Sequence, residues 1–183
     1  MCEPTGVRQI VLLRGINLGA RNRVAMPALR ELLTGAGFEN VRTYVQSGNV
    51  VLETRRTPAG VARACERLIT AELGLDIAVV ARTRDELAEV VRRNPLGGVA
   101  DNPKRYQVSF LESEPDPKVV ERLNGLTVDG ERLVAIGREI YAWHPAGVAR
   151  SRLWAGLAGK GLGTTATARN WTTVTALLEM ADQ

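Results

Sequence analysis

The sequence predicts an α+β protein, and three observations carry that reading. Apolar runs and helical patterns alternate as strand, helix, strand, strand, helix, strand over residues 1–82. The two middle runs are separated by Ser47-Gly48, a connection too short for a crossover and suited to an antiparallel hairpin. A strand, a helix and a hairpin then recur in residues 83–183.

Each element has a local cause. Residues 8–14 hold Ile10-Val11-Leu12-Leu13 between charges and read as a strand. A helix opens at Pro27, which suits a first turn, places Leu29, Leu32, Leu33 and Ala36 on one face, and ends at Gly35 and Gly37. Residues 41–46 and 49–54 are the hairpin strands. Thr57-Pro58 is a cap followed by an N1 proline, and the second helix runs to Leu73 with Val61, Cys65, Leu68 and Ile69 in register before Gly74. Residues 76–82 form a fourth strand. The order is that of a ferredoxin-like sandwich, in which the loop leaving the first strand and the hairpin turn meet at one end of the sheet. The two central strands are apolar at successive positions, so both faces of the sheet are expected to be covered.

Residues 83–94 read as a third helix, followed by the boundary at Asn94-Pro95-Leu96-Gly97-Gly98. Residues 105–111 alternate as a strand, 116–123 follow Pro115 as a short helix, and 132–136 with 139–143 form a second hairpin. Ser151 caps a helix reaching Ala158. Residues 159–163 read as a flexible connector, and 164–170 as a lead into a last helix at Trp171. The expected organisation is therefore a ferredoxin-like domain over residues 1–82 and a second, related α+β unit with C-terminal helices over residues 83–183.

Composition narrows the function classes. The net charge is +4, with 24 basic and 20 acidic residues, and it is uneven. No carboxylate lies between Glu3 and Glu31, where Arg8, Arg14, Arg21, Arg23 and Arg30 fall, and none lies between Glu139 and Glu179. The span from Glu31 to Glu139 holds fifteen basic and seventeen acidic residues and is close to neutral. Two such acid-free segments favour phosphates, nucleotides or nucleic acid. Two cysteines, Cys2 and Cys65, far apart, argue against a disulfide framework, and the single histidine, His144, against a His-cluster metal site. We expect no metal and no cofactor. With no apolar leader and no run of membrane-spanning length, the expected location is the cytoplasm, without a membrane partner.

The candidate site is the polar loop of residues 14–23. Gly15 and Gly19 let backbone amides approach a ligand, Arg14 grips an oxyanion, and Asn17, Arg21, Asn22 and Arg23 add donors. The hairpin contributes Gln46, Ser47 and Asn49 as the opposite wall, and Arg169 with Asn170, in the second acid-free segment, is a third contributor. The same asparagines also suit tight turns, where they bond to backbone. The glycine spacing does not match a dinucleotide fingerprint or a Walker A loop, and Val50-Val51-Leu52 lacks the aromatics of a base-stacking RNA sheet. Ser47 has no histidine or lysine near it in sequence to activate it. Three readings remain: a binding protein for a small phosphorylated or anionic ligand; nonspecific nucleic-acid binding; and a phosphate or acyl-phosphate hydrolase using Arg14 for charge and Asn17 to orient water. The last resembles acylphosphatases in placing an arginine and an asparagine on such a sheet. Oligomeric state is not legible.

Leu12-Leu13-Arg14-Gly15-Ile16-Asn17, the segment 22–26, Thr43-Tyr44-Val45-Gln46-Ser47-Gly48-Asn49-Val50 and Ala168-Arg169-Asn170-Trp171-Thr172-Thr173-Val174 resemble the bacterial proteins grouped as domain of unknown function 1697. That resemblance implies a two-part α+β protein with ferredoxin-like units and no established activity. In such relatives two glycines more often follow the asparagine, where this chain has Leu18-Gly19-Ala20.

Overall fold

The computed structural model describes residues 6–183; Cys2 and Glu3 lie outside them. The first four strands are β1 (Val7–Leu13), β2 (Glu39–Tyr44), β3 (Asn49–Thr54) and β4 (Val79–Thr83), with α1 (Met26–Gly35) and α2 (Pro58–Leu73) between them. They pair in the order β2-β3-β1-β4, all antiparallel, which is the ferredoxin-like arrangement. After α3 (Arg84–Arg93), the series repeats: β5 (Tyr106–Leu111), α4 (Pro117–Asn124), β6 (Arg132–Ile136), β7 (Glu139–Trp143), α5 (Arg152–Ala158) and β8 (Ala166–Asn170), before α6 (Trp171–Asp182). The second sheet is ordered β6-β7-β5-β8, strand for strand the same topology. Two related α+β units are thus present, residues 6–89 with 177–183 and residues 90–176. The division falls within α3 and within α6.

Local chemistry explains the helix ends. Thr57 accepts from the Gly60 amide at 3.2 Å and Pro58 starts α2, while Gly74 at φ 65° stops it. Ser151 accepts from the Trp154 amide at 3.0 Å to cap α5, and Asp116 accepts from the Lys118 amide at 2.8 Å to cap α4. In the first unit Val11, Leu13, Val50 and Leu52 turn toward α1 and α2 and join Leu29, Leu33, Val61, Cys65 and Ile69 in one core. Burial pushes the Cys65 thiol up to about 12, so it packs as an unreactive apolar group. The other face, with Ile10, Leu12 and Val51, is buried as well. At its edge Arg8 and Arg42 donate to the Ala181 and Met180 carbonyls of the last turn of α6, each at 2.6 Å, and Arg84 pairs with Asp182 at 2.7 Å. Cations at a helix C-terminus also complement its dipole.

Four predicted elements differ from what forms, and one of them is the fourth strand, which starts at Val79, three residues later than expected. Residues 164–170 read in the sequence as a lead into the last helix, but 166–170 form β8, an outer strand paired with β5. Its Ala-Thr-Ala-Arg-Asn composition lacks the bulky alternation that marks strands, and pairing supplies what composition does not. The flexible connector at 159–163 contains a 3-10 turn, Lys160–Leu162, fixed by buried Leu162 and by Arg122 donating to the Gly161 carbonyl at 2.5 Å. The second strand starts two residues earlier than expected and is bulged between Glu39 and Arg42, where Asn40 takes φ 49°.

Candidate functional site

The loop after β1 is a closed structure anchored at both ends. Ile16 and Val24 are buried in the first core and plug the loop into the fold. Between them Asn17, at φ 55°, acts as a staple. Its Nδ2 donates to the Val24 carbonyl at 2.8 Å and to the Gln46 carbonyl at 2.7 Å, and its Oδ1 accepts from the Val24 amide at 2.9 Å. The Asn17 amide donates to the Asn22 carbonyl at 3.1 Å, and Asn22, at φ 52°, reaches back to the Gly15 carbonyl at 3.5 Å. Asparagine tolerates the left-handed region better than other non-glycine residues, which explains why it recurs here.

The hairpin is locked from its own side. The Leu13 amide donates to the Gly48 carbonyl at 2.9 Å. A Cβ on Gly48 would lie 2.7 Å from the Leu13 Cβ and 2.9 Å from the Ile16 Cδ1, and its φ is 80°, so only glycine fits. Asn49 is fully buried and donates from Nδ2 to the Tyr44 carbonyl at 3.1 Å and the Ser47 Oγ at 3.0 Å, closing the turn. The structure thus brings the loop and the hairpin together through Asn17 and Gln46, and the polar atoms of Asn17 and Asn49 are spent on backbone and turn.

The remaining candidate residues differ in exposure. Arg21 and Arg23 are exposed, as is Gln46, and Arg14 is half-buried at the strand end, where its amide donates to the Ala78 carbonyl at 2.9 Å. Among the described residues, the amides of Leu18, Gly19 and Ala20 have no acceptor. The loop therefore presents unpaired backbone donors and two free cations on a frame held rigid from beneath. Arg169 and Asn170 belong to the second unit and work within it. Arg169 is buried, donates to the Thr167 Oγ1 and the Ala168 carbonyl, both at 2.8 Å, and has its pKa pushed down to about 10 by burial. Asn170 accepts from the Thr173 amide at 2.9 Å and caps α6, while Trp171 stacks on Tyr106 with ring centroids 4.8 Å apart.

Sequence reasoning missed one cluster. His144 is fully buried just after β7, with Nδ1 3.1 Å from both the Glu131 Oε1 and the Ser151 Oγ, and Ser151 donates to the same Glu131 oxygen at 2.5 Å. Serine, histidine and a carboxylate suggest a hydrolytic triad, but a triad places the serine and the acid on opposite ring nitrogens. Here both face Nδ1, and among the described residues Nε2 has no partner. The cluster is a buried lock on the cap of α5. Burial holds the His144 pKa below its usual range against the pull of Glu131. Burial alone would raise Glu131, but hydrogen bonds from Ser151, His144 and the Val128 amide together hold it down. The pairing of β6 with β7 brings Glu131 near His144 at the open end of the hairpin, a placement that the predicted hairpin already implied and that could have signalled the pair. Among the described residues no cluster of His, Cys, Asp or Glu is placed to hold a metal ion, and no helix is long and apolar enough to cross a membrane.

Fold and site together define a tandem ferredoxin-like protein in which one unit carries a stapled, cationic loop at the end of its sheet. A family model described as a protein of unknown function, DUF1697, matches residues 7–141, and the chain belongs to that family. A conserved bacterial protein from Streptococcus pneumoniae, SP0830, is similar in structure, with a TM-score of 0.73 at 20% identity over 96% of this chain and 98% of that one. At that identity the likeness shows the fold. No curated protein matches the sequence.

Proposed function

We propose that the chain is a cytoplasmic binding protein for a small phosphorylated or otherwise anionic ligand, taken at the end of the N-terminal sheet by the loop of residues 14–23. The observation that carries this reading is the division of labour in the loop. Asn17 fixes the backbone with three hydrogen bonds, while the amides of residues 18–20 and the guanidiniums of Arg21 and Arg23 point to no protein partner. Donors held in place before a ligand arrives lose little entropy on binding, and guanidinium and amide groups match oxyanions. The hydrolase reading is weaker, because the Asn17 side chain meant to orient a water is already committed to backbone.

A thermal-shift and calorimetric screen of inorganic phosphate, sugar phosphates, nucleotides and CoA-type ligands tests the proposal. A ligand at about 100 times its Kd stabilises the folded state by about 2.7 kcal/mol, and the double variant Arg21→Ala/Arg23→Ala should lose that gain. If no anion raises the melting temperature, the reading fails. Nonspecific nucleic-acid binding draws on the same charge and is separated by salt, since its affinity falls steeply and for all sequences alike.

A further inference from the structure

We infer that the ligand of this loop carries an apolar body beside its anionic group, as an aryl phosphate monoester does, and that Leu18 and Val45 hold that body; the inference rests on the anion-binding reading above. Leu18 is 82% exposed, the most exposed of the large hydrophobic residues among those described, and Val45 is 52% exposed. The hydrogen bond from the Asn17 Nδ2 to the Gln46 carbonyl, 2.7 Å long, joins the immediate sequence neighbours of these two residues. One exposed apolar residue thus sits next in sequence to each end of the bond that unites loop and hairpin, Leu18 on the loop that also bears Arg21 and Arg23 and Val45 on the hairpin. Isolated exposed hydrophobics are ordinary on a protein surface. Val45 is not ordinary, because it is a β-branched residue at φ 49°, a conformation that favours glycine or asparagine. Stability alone would favour either of those residues in its place, and strain of this kind accumulates where a side chain is kept for contact. Cations and unpaired amides next to apolar side chains complement a molecule that is itself divided into an anionic and an apolar part. Inorganic phosphate would use only the first half of such a site.

Titration calorimetry with inorganic phosphate and with phenyl phosphate reads the difference. Phenyl phosphate should bind about tenfold more tightly and with a more negative heat-capacity change, the mark of apolar burial. Leu18→Ser should remove the preference, so that the variant binds phenyl phosphate and inorganic phosphate with equal affinity. Val45→Gly should weaken phenyl phosphate in the same selective way while folding at least as stably as the parent. Equal affinity for the two ligands in the parent protein, or a preference that survives both variants, overturns the inference and leaves anion binding standing. Failure of both ligands to bind removes the anion-binding reading as well.

Discussion

The two units share a topology and differ at one corresponding end. In the first, the Leu13 amide donates to the Gly48 carbonyl and the Arg14 amide to the Ala78 carbonyl; in the second, the Leu111 amide donates to the Arg138 carbonyl and the Glu112 amide to the Thr165 carbonyl. Leu13 therefore corresponds to Leu111, Arg14 to Glu112 and Gly48 to Arg138. Beyond those points the units part. The connection at residues 14–25 is long, contains no carboxylate and is bent by left-handed residues at Gly15, Asn17 and Asn22. The connection at residues 112–116 is Glu-Ser-Glu-Pro-Asp, short and acidic, with no left-handed residue. The same hydrogen-bond frame thus carries an arginine-bearing, acid-free connection in one copy and an acidic one in the other. Fold is maintained by the shared frame, and the proposed ligand site depends on what is inserted into it.

The largest effect should come from substituting the paired turns. Gly48→Ala adds a Cβ 2.7 Å from a core atom at a left-handed backbone, and we expect a loss of about 3 kcal/mol from strain and overpacking. Arg138→Ala, at the matching position, should cost no more than about 1 kcal/mol. Urea unfolding of both variants makes the comparison, and equal losses would mean that the first hairpin is no more constrained than the second.

Asn17→Ala comes next. It leaves the Gln46 and Val24 carbonyls and the Val24 amide without their partner, a loss of about 2 kcal/mol. It should also abolish anion binding, because the loop is no longer held. A stable variant that binds phosphate as the parent does would show that the staple is dispensable.

The second unit responds instead to acid. His144 is buried neutral with a lowered pKa, so the unfolded chain takes up protons more readily, and stability falls as pH drops below the usual histidine value of 6.5. Glu131 has a lowered pKa too, so its contribution is present above the usual 4.5 and is lost as pH falls through its folded value. Thermal melts from pH 8 down to about 3 should show both limbs. His144→Phe should flatten the limb that begins near 6.5, and an unchanged slope would place the titrating group elsewhere. The smallest effect on stability belongs to Arg21→Ala/Arg23→Ala, within about 0.5 kcal/mol because both side chains are exposed.

Much of this was legible from the residues. Thr57-Pro58, Ser151 and the Glu139 to Trp143 run signal their elements through capping and alternation. The meeting of loop and hairpin followed from topology alone. What the sequence hides is how polar groups are spent. Asn17 and Asn49 read equally well as ligand donors or as backbone staples, and only their partners decide between the two. β8 is hidden because threonine and alanine pack as a strand only when a neighbour pairs with them. Glu131 and His144 flank a hairpin that the sequence does signal, but nothing in their residue types tells that they and the capping Ser151 turn inward to bond one another.

On the proposed reading, anions bind the N-terminal loop and not its acidic counterpart. Titrating the isotopically labelled protein with phenyl phosphate and following backbone amide resonances tests it directly. The amides of residues 18–23 and 45–47 should shift in a saturable way, while those of residues 112–116 stay fixed. Saturable shifts centred on residues 112–116, or none at residues 18–23 at millimolar ligand, would contradict it.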